Sequence, residues 1–267
     1  MPFPGFNTRA VMKVANRRQA ILELVLSGKS NVDELCAQLG VSEATVRRDL
    51  TALAEDGLIL RTYGGAAHVG QREPETSLEE RSRQHSQEKM DIAHAALAHI
   101  NDHDTLFLEG GTSTSALAHI LNQRRGLHVI TNNLLALSDL ALIPDGRITV
   151  LGGTLRASSM STYGVAAQAA LEHLSADKLF ISADGVVAEL GLCEASAEQA
   201  YLKENMLARA AQVFVLADVT KLGRARQQHW TPLRQPWTLI TNPVDDESLL
   251  APFRARKSIQ VEIALPG

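Results

Sequence analysis

The chain has 267 residues, 45% of them hydrophobic and 21% charged, which is enough apolar material for a sizeable core and, by length, for two domains. The net charge of −4 excludes a uniformly basic nucleic-acid coat, and no apolar run reaches the roughly 18 residues that span a bilayer. Charge is uneven: through Arg72 there are 9 Lys and Arg against 7 Asp and Glu, and beyond it 17 against 23. A slightly basic front joined to an acidic body suits a protein that touches phosphate with one small module.

The two cysteines, Cys36 and Cys193, give no zinc spacing and no disulfide framework. A reducing cytoplasm is therefore expected, and no metal or cofactor is called for. Residues 1–16 lack a secretory apolar core and read as an irregular leader.

Residues 17–69 read as one unit. Arg17–Ser27 is expected as a helix with Ile21, Leu22, Leu24 and Val25 on its core side. Val32, Leu35 and Leu39 recur at helical spacing in Val32–Leu39. Gly40 follows, where a left-handed helix end tolerates glycine best. Ser42 stands where an N-cap is needed, its hydroxyl placed to accept from a free backbone N–H. In Glu43–Asp56, Val46, Leu50 and Leu53 make the buried stripe, and Thr45, Arg47, Arg48 and Thr51 point elsewhere. Two helices about a tight turn are the pattern of a helix-turn-helix, whose second helix enters the major groove. The next segment, Leu58–Gly65, alternates briefly and ends in a double glycine, as a β-hairpin wing does. The expected DNA-facing residues are Ser42, Glu43, Thr45, Arg47 and Arg48 on the helix, with Arg61, Tyr63 and Gly64 on the wing.

Residues 70–89 are nearly devoid of large apolar side chains and read as a linker or exposed connecting helix. From 90 to 267 helical and extended patterns alternate. Helices are expected at Met90–Ile100, Ser113–Leu121, Leu134–Leu142, Val165–Leu174 and Ala197–Ala211. Strands are expected at Thr105–Leu108, His128–Thr131, Ile148–Leu151, Leu179–Ala183, Val213–Ala217, Thr238–Thr241 and Ile259–Ile263. Such alternation implies a mainly parallel α/β sheet covered on both faces.

In open α/β sheets, ligands bind beyond the carboxyl ends of the strands. Those ends carry one residue class: Glu109, Gly110, Gly111, Thr112 and Ser113; Asn132; Gly152 and Gly153; Asp184; Asp218 and Lys221. Glycines admit a ligand to the backbone, and hydroxyls with free N–H groups at a helix start suit an anion. Glu194 and Lys203 straddle the start of the long helix and could hold hydroxyl and phosphate groups. The glycines fit neither GxGxxG nor the P-loop, which counts against a nucleotide. The nine histidines form no HExxH, and His119 shows no acidic partner in sequence.

VSEATVRRDLTALAEDGLILRTYGGA resembles the DeoR-type helix-turn-helix. LFLEGGTS, VITNN, VLGGTLR, STYG, LFISADGV, GLCEASAEQAYLKENM and VLADVTKLG are similar, in order and interval, to that family's sensor-domain signatures. The resemblance covers all but the first 16 residues. It implies a cytoplasmic regulator of transcription, usually a repressor of a sugar-catabolic operon, that binds operator DNA. It also implies a sensor fold similar to sugar-phosphate isomerases and a phosphorylated sugar as effector. Thr112, Ser113, Asn132, Gly152, Gly153, Asp184, Glu194, Lys203, Asp218 and Lys221 would line the effector pocket. Where the family usually reads like DSGTT, this chain has Glu109-Gly110-Gly111-Thr112-Ser113, a longer acid and one hydroxyl fewer. A homo-oligomer, dimer or tetramer, would pair the recognition helices on half-sites. The alternative is an active sugar-phosphate isomerase or lyase with a DNA-binding appendage, using Asp184 and Glu194 as acid and base. No paired carboxylates or nucleophile-plus-base arrangement stands out to support it.

Overall fold

The computed structural model describes residues 13–26, 31–62, 65–68, 76–225 and 227–266. The chain divides into two units, Met1–Val69 and Gly70–Gly267.

In the first unit, helices α1 (Val14–Leu26), α2 (Val32–Leu39) and α3 (Glu43–Glu55) precede a hairpin of β1 (Ile59–Thr62) and β2 (Gly65–His68). The strands pair antiparallel with Thr62 opposite Gly65. Ile21, Val25, Val32, Leu35, Val46, Leu50, Leu53, Ile59 and Ala66 form the core, so the expected apolar stripes are the ones that meet. Asn31 starts α2 by accepting from Asp33 N at 2.8 Å. Gly40 ends it at φ 64 with its N–H on Cys36 O. Ser42 occupies the N-cap of α3 but accepts no backbone N–H. Its hydroxyl is instead 2.9 Å from that of Thr45, which ties two groups of the first turn to each other. Asp49, unremarked in the sequence pattern, is 2% exposed. Its carboxylate receives Arg17 Nε at 2.6 Å and Arg18 Nε at 3.3 Å, pinning α3 to α1.

The second unit begins with α4 (Leu78–Arg83) and α5 (Ser86–Leu97), followed by β3 (Thr105–Leu108), α6 (Thr112–Ile120), β4 (His128–Thr131), α7 (Leu137–Leu140) and β5 (Arg147–Val150). Next come the hairpin β6 (Thr154–Arg156) and β7 (Ser161–Tyr163), α8 (Val165–Leu171), β8 (Ala176–Ile181), β9 (Gly185–Val187) and β10 (Gly191–Glu194). The chain finishes with α9 (Ala197–Leu207), β11 (Ala210–Leu216), β12 (His229–Thr231), β13 (Trp237–Thr241), α10 (Ala251–Arg254) and β14 (Ile259–Ile263). Among the described residues a seven-stranded sheet runs β14-β13-β11-β8-β3-β4-β5, with every pairing parallel. A smaller sheet of β12-β10-β9 lies apart from it.

Side chains alternate across the large sheet, as the two-residue period of a strand requires. Phe107, Leu179, Ile181, Val213 and Val215 enter the core shared with α8, α9 and α10. Leu106, Leu108, Phe180, Phe214 and Leu216 enter the opposite core, with α5, α6 and α7. Both faces are covered, and the strands accordingly read as near-continuous apolar runs.

The stretch 70–89, read as a linker or exposed connecting helix, carries α4, which buries none of its residues, and groups with the second unit. Two expectations need correction. The helix expected to reach Ala211 stops at Leu207, because Ala210 already pairs with Ala176 in the sheet. Leu134–Leu142 is a 3-10 turn followed by the four-residue α7.

Candidate functional site

Glu43, Arg47 and Arg48 lie exposed on the first turns of α3, with Thr45 half-buried beside them. Arg47 is already engaged: its Nε and Nη2 reach Glu43 Oε1 at 2.8 and 2.5 Å. An exposed pair at this spacing is worth only about 0.3–0.5 kcal/mol, so a phosphate or base edge can displace it. Arg61 belongs to β1, opposite Ala66. Tyr63 and Gly64 lie outside the described residues.

In the second unit, strand order reverses between β3 and β8: later strands extend one way from β8, while β4 and β5 extend the other way from β3. Two connections diverge at such a switch point and leave a crevice beyond the strand ends. It is lined there by Gly110, Gly111, Thr112 and Ser113 after β3, by Asp184 after β8, and by Asp218 and Lys221 after β11. Glu194 from β10 and Lys203 from α9 complete the expected set.

Gly111 packs closely on β8: a Cβ there would fall 2.2 Å from Ser182 Oγ, and that hydroxyl would have to turn away. Its carbonyl accepts from Thr114 Oγ1 at 2.9 Å, Ser115 Oγ at 2.8 Å and Asn133 Nδ2 at 3.2 Å. That leaves the start of α6 facing the crevice. Lys203, 2% exposed, donates to Ser182 O and to Glu194 Oε1 and stands 3.5 Å from Glu109 Oε2. Glu109 sits behind Lys203 and is not part of the crevice wall. Two buried carboxyls thus share one lysine. Burial pushes Glu109 up to about 7 and Glu194 up to about 8, against the pull of Lys203. Burial also opposes the Lys203 charge, but Glu109 and Glu194 outweigh it and raise its pKa. The trio retains a proton that exposed glutamates would have lost.

Other expected residues do not join the crevice. Gly152 and Gly153 follow β5, the sheet edge, roughly 10 Å from β3 at the usual strand spacing. Gly153 answers a different need: it has φ 122, and a Cβ would strike Tyr163 O at 2.2 Å. Asn132 follows β4 but turns its amide to Thr162 O at 3.0 Å. His119 does have an acidic neighbour, Asp139, at 3.3 Å. Conversely, Arg81, Gln84, His85 and Lys89 line the crevice from the stretch read as linker. One signal could have found them: Ser77 precedes Glu80 as in a capping box, and Ser77 Oγ does accept from Glu80 N at 3.2 Å. Ser182, Gln199, Thr220 and Arg224 also line it, as do Thr76 and Ser159. Among the described residues, no group of three or more His, Cys, Asp or Glu is arranged for a metal ion, and no helix is long and apolar enough to cross a membrane.

A helix-turn-helix with its hairpin, carried on one chain with a doubly covered α/β unit, defines a DNA-binding regulator. Residues 17–72 match the DeoR-like helix-turn-helix domain and residues 84–243 the DeoR C terminal sensor domain. The chain is 31% identical over 233 residues to the HTH-type transcriptional regulator IolR of Bacillus subtilis strain 168, covering 86% of this chain and 92% of the relative. It is 32% identical to the HTH-type transcriptional repressor CsqR of Escherichia coli K12, over 93% of this chain and 94% of that one. It is also 33% identical to the glycerol-3-phosphate regulon repressor of Escherichia coli K12, over 80% and 84%. The chain belongs to the DeoR family of transcriptional regulators. It is a DNA-binding regulator rather than an enzyme, as those relatives are named. A ribose-5-phosphate isomerase in complex with phospho-erythronic acid is similar at 19% identity and TM-score 0.37 over 55% of each chain. That likeness is too distant to say anything of ligand or chemistry.

Proposed function

We propose that the protein is a cytoplasmic, homo-oligomeric repressor of a sugar-catabolic operon, released from its operator by a small phosphorylated sugar bound at the β3/β8 switch point. One observation carries the effector reading. A single crevice gathers hydroxyls and small residues from the start of α6, carboxylates from β10 and after β8, and a surplus of cations. Carboxylates and amides pair with sugar hydroxyls, and cations with an anionic group. One relative, the glycerol-3-phosphate regulon repressor, is named for the regulon of a small phosphorylated polyol.

On the DNA side, Ser42 at the N-cap and Glu43, Thr45, Arg47 and Arg48 on α3 would meet bases and phosphates, joined by Arg61 and, from their sequence position alone, Tyr63 and Gly64. Effector binding would favour an arrangement of paired recognition helices that no longer matches the half-site spacing. A coupling of about 1–3 kcal/mol weakens operator binding roughly 5–150-fold. The test is a thermal-shift panel of phosphorylated and free sugars, followed by operator gel shifts with any stabilising compound. A compound that raises the unfolding temperature and releases DNA is expected. Stabilisation by no sugar derivative, or stabilisation without change in operator affinity, would overturn the reading.

A further inference from the structure

Helix α4 buries none of its residues, so polar ties hold it in place. Arg81 Nη2 donates to Ser158 O at 2.5 Å, on the loop that leads to Ser159 in the crevice wall. Lys89, on α5 and 6% exposed, donates to Arg81 O and Gln84 O and so closes the corner between the two helices. At that corner His85 adopts φ 54, a left-handed conformation that a side-chain-bearing residue disfavours. The corner is therefore strained, polar and light in apolar packing, the properties of a segment whose position responds to small free energies. It is also early in the unit: Thr76 comes seven residues after Val69, where the DNA-reading unit ends.

The facing wall is fixed. Asp218 Oδ1 accepts from Thr220 N at 3.0 Å, Gly223 N donates to Val186 O at 2.8 Å, and Arg224 O accepts from Cys193 Sγ at 3.4 Å. The turn carrying Lys221 and Arg224 is thereby bound to the small sheet. Five cations and three carboxylates line the crevice. Cations therefore outnumber carboxylates along the crevice, and Arg81 from α4 lines it together with Lys221 and Arg224 of this turn. Burial, offset by Asp184 and Asp218 and reinforced by Arg224 and Arg81, holds Lys221 below the ordinary lysine range. Those charges are near enough to repel one another.

We propose that Arg81, Lys221 and Arg224 form an anion subsite for the ligand's phosphoryl group, and that an anion seated there clamps the α4–α5 corner against the fixed turn. This rests on the reading of the crevice as the effector site, and it adds which wall holds the phosphate and what binding changes. A phosphoryl group would give the corner and the turn a common partner for charge-assisted hydrogen bonds. The corner is then better held with ligand than without, and that difference is what shifts an equilibrium between two arrangements.

The test uses the full chain with inorganic phosphate as probe, read by hydrogen exchange of peptides spanning 76–89 and by thermal unfolding. Phosphate should raise the unfolding temperature and slow exchange in that segment several-fold. Arg81→Met and Lys221→Met should each raise the half-saturating phosphate concentration about tenfold or more. Arg81→Met also removes the tie to Ser158 O, so its unfolding temperature without phosphate is measured first. Lys221→Met, on the fixed turn, keeps that tie and carries the test if the Arg81 variant is destabilised. Phosphate that stabilises the protein while exchange at 76–89 stays the same overturns the clamp. Phosphate without any effect overturns the subsite; a sugar from the earlier panel that still stabilises the chain would then leave the crevice standing as effector site. Sugar phosphates that bind the Arg81→Met, Lys221→Met double variant as tightly as the native chain overturn the placement of the phosphate alone.

Discussion

Replacing Glu109 by glutamine should change how stability depends on pH more than it changes stability at any one acidic pH. Glu109 is 2% exposed, and its Oε2 stands 3.5 Å from Lys203 Nζ without a hydrogen bond. Glu194 already bonds that lysine, so the single cation does not neutralise both. Burial raises Glu109 from an ordinary 4.5 to about 7. Between those values the folded state keeps a proton that the unfolded chain has lost, so stability falls as pH rises. The contribution is whole below 4.5 and gone above about 7, a loss on the order of 3 kcal/mol. Glutamine resembles the protonated acid and does not ionise. The variant should match the native protein near pH 5 and exceed it near pH 8. For a unit of this size that gap corresponds to about 6–12 °C in unfolding temperature. Glu194 titrates in both proteins and cancels in first order; losing its charged neighbour only lowers it further in the variant. Thermal unfolding from pH 5 to 8.5 measures the gap. Parallel curves would refute the reasoning, since they would mean that Glu109 is ionised throughout in an ordinary ion pair.

Arg48→Ala should weaken operator binding by about 1–3 kcal/mol if the guanidinium makes a bidentate base contact; unchanged gel-shift affinity would remove it from the recognition surface. Asp49→Ala releases Arg17 and Arg18 and should cost about 1–3 kcal/mol, a large part of the roughly 3–10 kcal/mol open to a unit this small. Chemical denaturation followed on the first unit should show it, and a loss within 0.5 kcal/mol would mean that α1 and α3 are held by their apolar core alone. Gly111→Ala places a Cβ 2.2 Å from Ser182 Oγ and should destabilise by about 1–3 kcal/mol. Adding Ser182→Ala leaves the next contact at 3.5 Å, so the double variant should recover most of that loss in thermal unfolding. A double variant no better than the single one would place the strain elsewhere.

What could be read from the sequence follows from how far each signal travels along the chain. Val46, Leu50 and Leu53 lie within eight residues, so local periodicity reveals the recognition helix. Thr105–Leu108 and His128–Thr131 fall where expected, because interior strands are buried almost throughout. The edge strand Ile259–Ile263 is legible instead from its alternation of Ile, Val and Ile with Gln260 and Glu262. The sheet of β9, β10 and β12 left no comparable trace. Its strands are three or four residues long, and β10 finds β12 only across the span that holds α9 and β11. The termini of β3, β8 and β11 do line one crevice, but sheet order decided which termini could meet. Order is a non-local property, so Gly152 and Gly153 at the edge strand shared the composition of the site without its position.

The α4–α5 corner failed in the opposite direction. Apolar periodicity detects segments that fold by burying carbon, and this one folds by satisfying carbonyls with Arg81 and Lys89. A lysine so used is buried, yet in sequence it reads as solvated charge. A segment held by hydrogen bonds and few apolar contacts belongs to the low-stability end of a structure. The same cause therefore hides the corner from the sequence and leaves its position responsive to small free energies.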